Sequence, residues 1–165
     1  MFTPHKNDHP HVTVRTTTKG RGVFATRPIS KGSVIAEFVG EVFTSDYAST
    51  LPAVMVDHAM QIGPRDYVHA AGRLAEILNH SCDPNCGVSG LTQIVTRYDI
   101  AAGTELCWDY AMSEMSDWRM SACQCGAAQC RETVGSFAIL PETAKTQYLR
   151  EGIVSNWIKD AVSRG

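Results

Sequence analysis

The stretch Leu78–Cys86, LNHSCDPNC, places an amide, an imidazole and two thiols in nine positions, and Cys123–Cys130, CQCGAAQC, adds three more thiols. Cys123, Cys125 and Cys130 have C-x-C-x4-C spacing, with Gly126 free to bend the chain so that three sulfurs face inward. Three thiolates leave a tetrahedral zinc one ligand short. Spacing alone leaves the fourth open among Cys82, Cys86 and Cys107, of which the first two sit in a turn marked by Pro84 and Gly87. Free thiols or a redox pair are the competing reading. Cys107, between Leu106 and Trp108 in an expected strand, reads as a small core residue.

Around these segments the chain has 165 residues, a length that one hydrophobic core can serve. Lys and Arg total 15 against 17 Asp and Glu, so nothing in the charge points to duplex nucleic acid or to a membrane surface. The apolar runs are too short to span a bilayer, and the opening MFTPHKNDHPHVTV lacks the pattern of a signal peptide. The expectation is an intracellular protein, cytoplasmic or in a eukaryote nuclear, with secretion by a signal-free route left open, whose six cysteines are kept reduced for metal binding or as reactive thiols. The oligomeric state is not legible.

From His11 to Phe43 the β-branched and aromatic residues, with turns at KGRG and SKGS, predict a small antiparallel β region. Gly63-Pro64 predicts a hairpin between AMQI and DYVHA, and Leu74, Ile77 and Leu78 predict a helical turn just before Asn79. A strand over TQIVT and a buried LCWDY follow. Pro141 at a first helical position and Gly152 as a break divide the tail into two helices, with Ile153, Val154, Trp157, Ile158 and Val162 along one face of the second. His5, His9 and His11, in a Pro- and Asn-containing terminus, are given no role.

Five segments, KGRGVFA, EFVGEVF, LNHSCDPNC, ELCWDY and CQCGAAQC, occur in the order and spacing of SET-domain protein lysine methyltransferases with a cysteine-rich post-SET segment. The chain resembles the compact, free-standing form of that family. The resemblance implies a mostly β fold with short helices, its small curved sheets wrapped around a knot-like crossing of the NHS and WDY segments. It implies a SET domain over residues 1–118, a zinc-stapled post-SET segment over 119–140 and a helical extension over 141–165. It implies S-adenosylmethionine as methyl donor, held by Lys19, Gly20, Arg21, Gly22, Asn79 and His80, with Phe137 as an aromatic wall. Zinc would be held by Cys82, Cys123, Cys125 and Cys130, and the partner would be a protein carrying a target lysine, a histone or another basic protein.

The chemistry of these positions follows from their residue types. A lysine amine, with a reference pKa near about 10.4, must lose its proton before it attacks a methyl carbon. A narrow apolar channel and the sulfonium of the donor both disfavour the ammonium. Tyr110 would orient the amine, and Trp108 and Phe38 would shape the channel. Where the family usually has Phe or Tyr before DY, this chain has Trp108; where Tyr is common in EFVGE, it has Phe38. Neither carries a hydroxyl, which points to a roomy channel. Glu76 stands where Arg is common near the donor's carboxylate, with Arg73 as a substitute. Glu105, Asp109, Glu114 and Asp117 make the segment acidic, and Asp109 reads as an acceptor for backbone groups at the crossing. The alternative reading is a zinc-stapled interaction module with the SET fold but without turnover.

Overall fold

The computed structural model describes residues 5–6, 8–18, 20–70, 72–120 and 122–164; Lys19, expected on the donor side, lies outside them. Alternating Val12 and Val14 form β1 (Val12–Thr17), which pairs antiparallel with β2 (Gly20–Ala25), Val14 opposite Val23. Gly20 opens β2 at φ +106°, which a residue with a side chain rarely adopts.

The single β region expected from His11 to Phe43 is instead divided among three sheets. β3 (Val34–Glu37) and β4 (Glu41–Thr44) leave the first hairpin for separate sheets. Gly40 marks the departure, because a Cβ there would collide with the His69 carbonyl. After α1 (Ala53–Asp57), β5 (Ala59–Gln61) and β6 (Asp66–His69) form the expected hairpin, and β4 adds to it in the order β4-β6-β5. A 3-10 turn over Leu74–Ile77 leads into β7 (Asn79–His80). β8 (Cys86–Ser89) and β9 (Gln93–Thr96) join β3 in the order β3-β9-β8. β10 (Glu105–Trp108) completes the first sheet, ordered β1-β2-β10-β7.

β11 (Arg119–Met120) pairs with β12 (Val134–Gly135) across the cysteine-rich segment, and α2 (Glu142–Glu151) and α3 (Asn156–Arg164) follow. Pro141 caps α2 one residue before its first helical position, and Gly152 ends it at φ +70°. The first sheet, the β3 sheet and the tail share one core that includes Val23, Ile35, Ile94, Leu106, Phe137 and Ile158. Burial of each such side chain contributes about 1.5–3 kcal/mol relative to exposure. The expected apolar face of the tail is only partly buried: Ile153, Val154 and Ile158 are inside, while Val162 is 43% exposed. Trp157 is anchored differently, its indole N–H donating to the carbonyls of Gln61 and Ser113 at 3.1 Å each. No described helix is long and apolar enough to cross a membrane.

Candidate functional site

The two segments that the sequence singled out meet side by side. β7 runs parallel to β10, with Asn79 opposite Cys107 and His80 opposite Trp108, and the Ser81 N–H continues the pairing to the Trp108 carbonyl at 3.0 Å. Asn85 then acts as one more strand residue: its Nδ2 donates to the Glu105 carbonyl at 2.7 Å and its Oδ1 accepts from the Cys107 N–H at 2.9 Å. Thus both ends of NHSCDPN hold β10. Cys86, beyond that turn, is fully buried, whereas Cys107 is only half-buried, so the core thiol is Cys86 rather than Cys107.

Asp109, fully buried, ties the crossing to the rest of the chain. It accepts from the Ala111 N–H at 3.1 Å, from Arg131 at 2.9 Å and from the Tyr148 hydroxyl at 3.1 Å. The sequence anticipated the backbone contact but missed the Arg131 and Tyr148 contacts. His80 is also turned inward. Its Nδ1 lies 3.4 Å from the Tyr110 backbone nitrogen and 3.6 Å from Asp109 Oδ1, and its Nε2 lies 3.3 Å from the Cys82 sulfur. The ring thus faces a cysteine and the crossing, which leaves the backbone of His80 as its means of reaching a donor.

On the donor side, the Asn79 Nδ2 donates to the Arg21 carbonyl at 2.9 Å and to Glu105 Oε1 at 2.8 Å. Gly22 is needed here because a Cβ would stand 2.5 Å from Glu105 Oε1 and 3.2 Å from Asn79 Nδ2. The expected closeness of Gly22 to a ligand is taken up by a carboxylate of its own chain. Gly20 differs, with no described atom within 4 Å of where its Cβ would stand. Sequence reasoning grouped Glu105 with the other acids of its segment and missed this contact.

Strand alternation sends Leu106 and Trp108 to the opposite face from Glu105 and Cys107. Here a cavity of about 250 Å³ has Phe38, Leu78, Trp108 and Tyr110 among its lining residues. Trp108 packs on Phe38 and Tyr110 with centroids 6.0 and 5.0 Å apart, and its buried Nε1 has no partner among the described residues. The Tyr110 hydroxyl donates to the Leu78 carbonyl at 3.2 Å, and burial pushes its pKa well above the ordinary phenol value. Phe137 lies in the core, 2% exposed, and does not line this cavity.

The charged lining residues of this cavity are Asp57, Glu76 and Glu114, beside His58. Of the four acids the sequence grouped, only Glu114 is among them; Asp109 and Glu105 are occupied elsewhere. Glu76 accepts from the Gly72 N–H at 2.7 Å and stands 2.8 Å from His69 Nε2. Arg73, offered as its substitute, has a buried Nε without a partner among the described residues.

Cys82, Cys123, Cys125 and Cys130 bring their sulfurs within 4.8 Å of one another. Zinc–sulfur bonds of about 2.3 Å in a tetrahedron put sulfurs about 3.8 Å apart, so the cluster fits that ion. The Arg131 N–H at 3.4 Å from Cys82 and the Glu132 N–H at 3.4 Å from Cys130 face the sulfurs as they would thiolates. Cys86 and Cys107 stand outside the cluster.

A family model described as the SET domain matches residues 20–111. The histone-lysine N-methyltransferase ash1 of Drosophila melanogaster is 31% identical over 138 residues, covering 73% of this chain and 6% of that protein. The human histone-lysine N-methyltransferase described as H3 lysine-36 specific is 30% identical over 155 residues, 79% of this chain and 5% of its own. The crystal structure of SUVH6 from Arabidopsis thaliana in complex with SAM superposes with a TM-score of 0.61 at 25% identity, over 74% of this chain and 32% of that one. The chain thus spans a small fraction of each of these proteins.

Proposed function

The chain belongs to the SET-domain family, and from that premise we propose that it transfers a methyl group from S-adenosylmethionine to the side-chain amine of a lysine in a protein. The observation that carries this reading is the position of Tyr110. Its backbone sits on the crossing beside Asn79 and His80, and its ring lines a cavity of aromatic residues and carboxylates. Such a cavity suits a long cationic side chain: Phe38 and Trp108 receive its methylenes, and Asp57, Glu76 and Glu114 attract its charge. The same charges favour a basic segment around the target lysine, as in a histone tail or another basic protein.

Gly20, Arg21 and Asn79 are the groups that would hold the donor, which supplies an electrophilic methyl on its sulfonium. Tyr110 orients the amine with its lone pair toward that methyl, and in-line positioning supplies most of the rate. Burial among Phe38, Trp108 and Leu78 lowers the proton affinity of the amine, so the neutral nucleophile is reached more easily than in water. The cysteine cluster, loaded with zinc, would tie residues 119–140 to Cys82 and through Arg131 to Asp109. The division into a SET domain, a post-SET segment and a helical extension belongs to this reading, as does a compartment that keeps the thiols reduced. Incubation with labelled S-adenosylmethionine and a panel of basic proteins, with mass spectrometry of the products, tests it. Label on a lysine supports the enzyme; donor binding with no transfer to any substrate supports the zinc-stapled interaction module.

A further inference from the structure

We propose that Glu105 is the positioning residue that makes Asn79 an acceptor for a cationic group, the α-ammonium at the amino-acid end of the donor. The inference rests on the reading of the chain as S-adenosylmethionine-dependent. An asparagine amide has two N–H donors and one carbonyl acceptor, and both ends fit most pockets equally well by shape. Here the ends are not equivalent. The two hydrogens of Nδ2 are taken by the Arg21 carbonyl at 2.9 Å and by Glu105 Oε1 at 2.8 Å. The flipped amide would set its carbonyl against two acceptors, so one orientation is fixed. What remains for a ligand is Oδ1, which can only accept.

Glu105 also brings a carboxylate to the same amide, 2.8 Å from Nδ2, in a half-buried position where screening by water is reduced. A carboxylate end of a ligand is repelled there and an ammonium is attracted. Gly22 leaves the room for this arrangement, since any Cβ would displace the Glu105 oxygen. The second glycine of GRG therefore serves the acceptor pair as well as the path of the backbone. Glu105 reaches the ligand through Asn79 and its own field, and it takes no part in the methyl transfer itself.

The test is a cycle between residue and ligand, read by calorimetry on the zinc-loaded full chain. The ligands are S-adenosylhomocysteine and its analogue with hydrogen in place of the α-ammonium. Wild type should bind the analogue at least about tenfold more weakly, the range of a charge-assisted hydrogen bond. In Glu105→Ala that ratio should shrink to within about threefold, with Glu105→Gln, which keeps an acceptor for Asn79 but no charge, in between. The Gln variant preserves the shape of the site and serves if the Ala variant unfolds. A ratio unchanged from wild type in both variants, including an equal weakening of both ligands, overturns the proposal and leaves Glu105 a packing role. If wild type binds neither ligand, the methyl-transfer reading falls and the proposal falls with it.

Discussion

Behind Tyr110 stand Asp109, Arg131 and Tyr148; in front of it runs the segment of residues 45–58 that closes the cavity. The rear group is buried and matched, with Asp109 bound by Arg131, Tyr148 and a backbone N–H. Next to it the guanidinium of Arg97, 2% exposed at its side chain, is forked onto Glu151, bonded to the Pro84 carbonyl at 2.6 Å, and stacked over Tyr98 and Tyr148. The front segment is the reverse. Neither its 3-10 turn Ala48–Thr50 nor α1 buries a single residue, and Tyr47 and Val54 are each 61% exposed. On the proposed reading, the groups assigned to the reaction are held by the buried network, while the exposed segment of the cavity wall has little to hold it and can yield to an occupant.

The largest effect that would break this contrast is removal of the metal. Cys82→Ser should empty the zinc site and loosen residues 119–140, because structural zinc contributes about 10–16 kcal/mol of binding free energy to the fold it staples. Metal analysis gives the content, and hydrogen exchange should show the loss of protection confined at first to the rear. Cys86→Ser, outside the cluster, should keep about one zinc per chain. A Cys86 variant without metal beside a Cys82 variant with it would refute the ligand set.

Tyr110 sits at the junction, and Tyr110→Phe separates chemistry from architecture. Its hydroxyl makes one neutral hydrogen bond, to Leu78, so the variant should fold and bind the donor within a few-fold of wild type. Methyl transfer should fall by about a hundredfold or more, the usual effect of removing a group that acts at the reacting atoms. Unchanged turnover would take Tyr110 out of the reaction.

Much of this was legible in the sequence where residues act locally. The β5–β6 hairpin and the three cysteines of the C-x-C-x4-C run follow from turn residues and ligand spacing within a few positions, whereas the crossing and the choice of Cys82 came only from the family resemblance. The role of Glu105 was not legible, because it depends on which strand lies beside β10 and on the face that alternation assigns. The same holds for Cys86 and Cys107: spacing left both open as ligands and read only Cys107 as a core residue, and only the packing of β8 in the core decides which is buried. The rear network joins Asp109 to Tyr148 and Arg97 to Glu151 across long stretches of chain, and no local period reports such pairs.

On the front side, Trp108 sharpens the comparison. The ring lines the cavity instead of packing away from it, which is at odds with the roomy channel read from two missing hydroxyls. Wild type should therefore stop at one or two methyl groups. Trp108→Phe, smaller and also without a hydroxyl, should move the product up by one methyl, as seen by mass spectrometry of exhaustively methylated peptide. Trp108 is a core residue, 4% exposed, so trimming it to Phe should cost about 1–3 kcal/mol and leave the fold intact. An unchanged product would mean that the ring does not gauge the amine.

The smallest effect concerns the outer edge of the rear region. Burial alone would raise the pKa of Glu151, but hydrogen bonds from Gln147 and Arg97 and the Arg97 charge outweigh it and hold the carboxyl below its usual value. With the folded pKa depressed, the pair stabilises the fold above the unfolded carboxylate pKa of about 4.3 and loses that contribution as pH falls through the folded value. Glu151→Gln keeps one acceptor for Arg97 and removes the charge, so at pH 7 it should lower stability by about 1 kcal/mol or less after solvent screening. Thermal unfolding across the acidic range checks the sign: the gap between wild type and variant should close as pH drops below the carboxylate range, and salt should narrow it at neutral pH. A gap that persists at low pH would mean that the Arg97 fork holds α2 by shape and hydrogen bonding alone. The rear would then owe its order to packing, and its contrast with the front would be one of contacts, with charge playing no part.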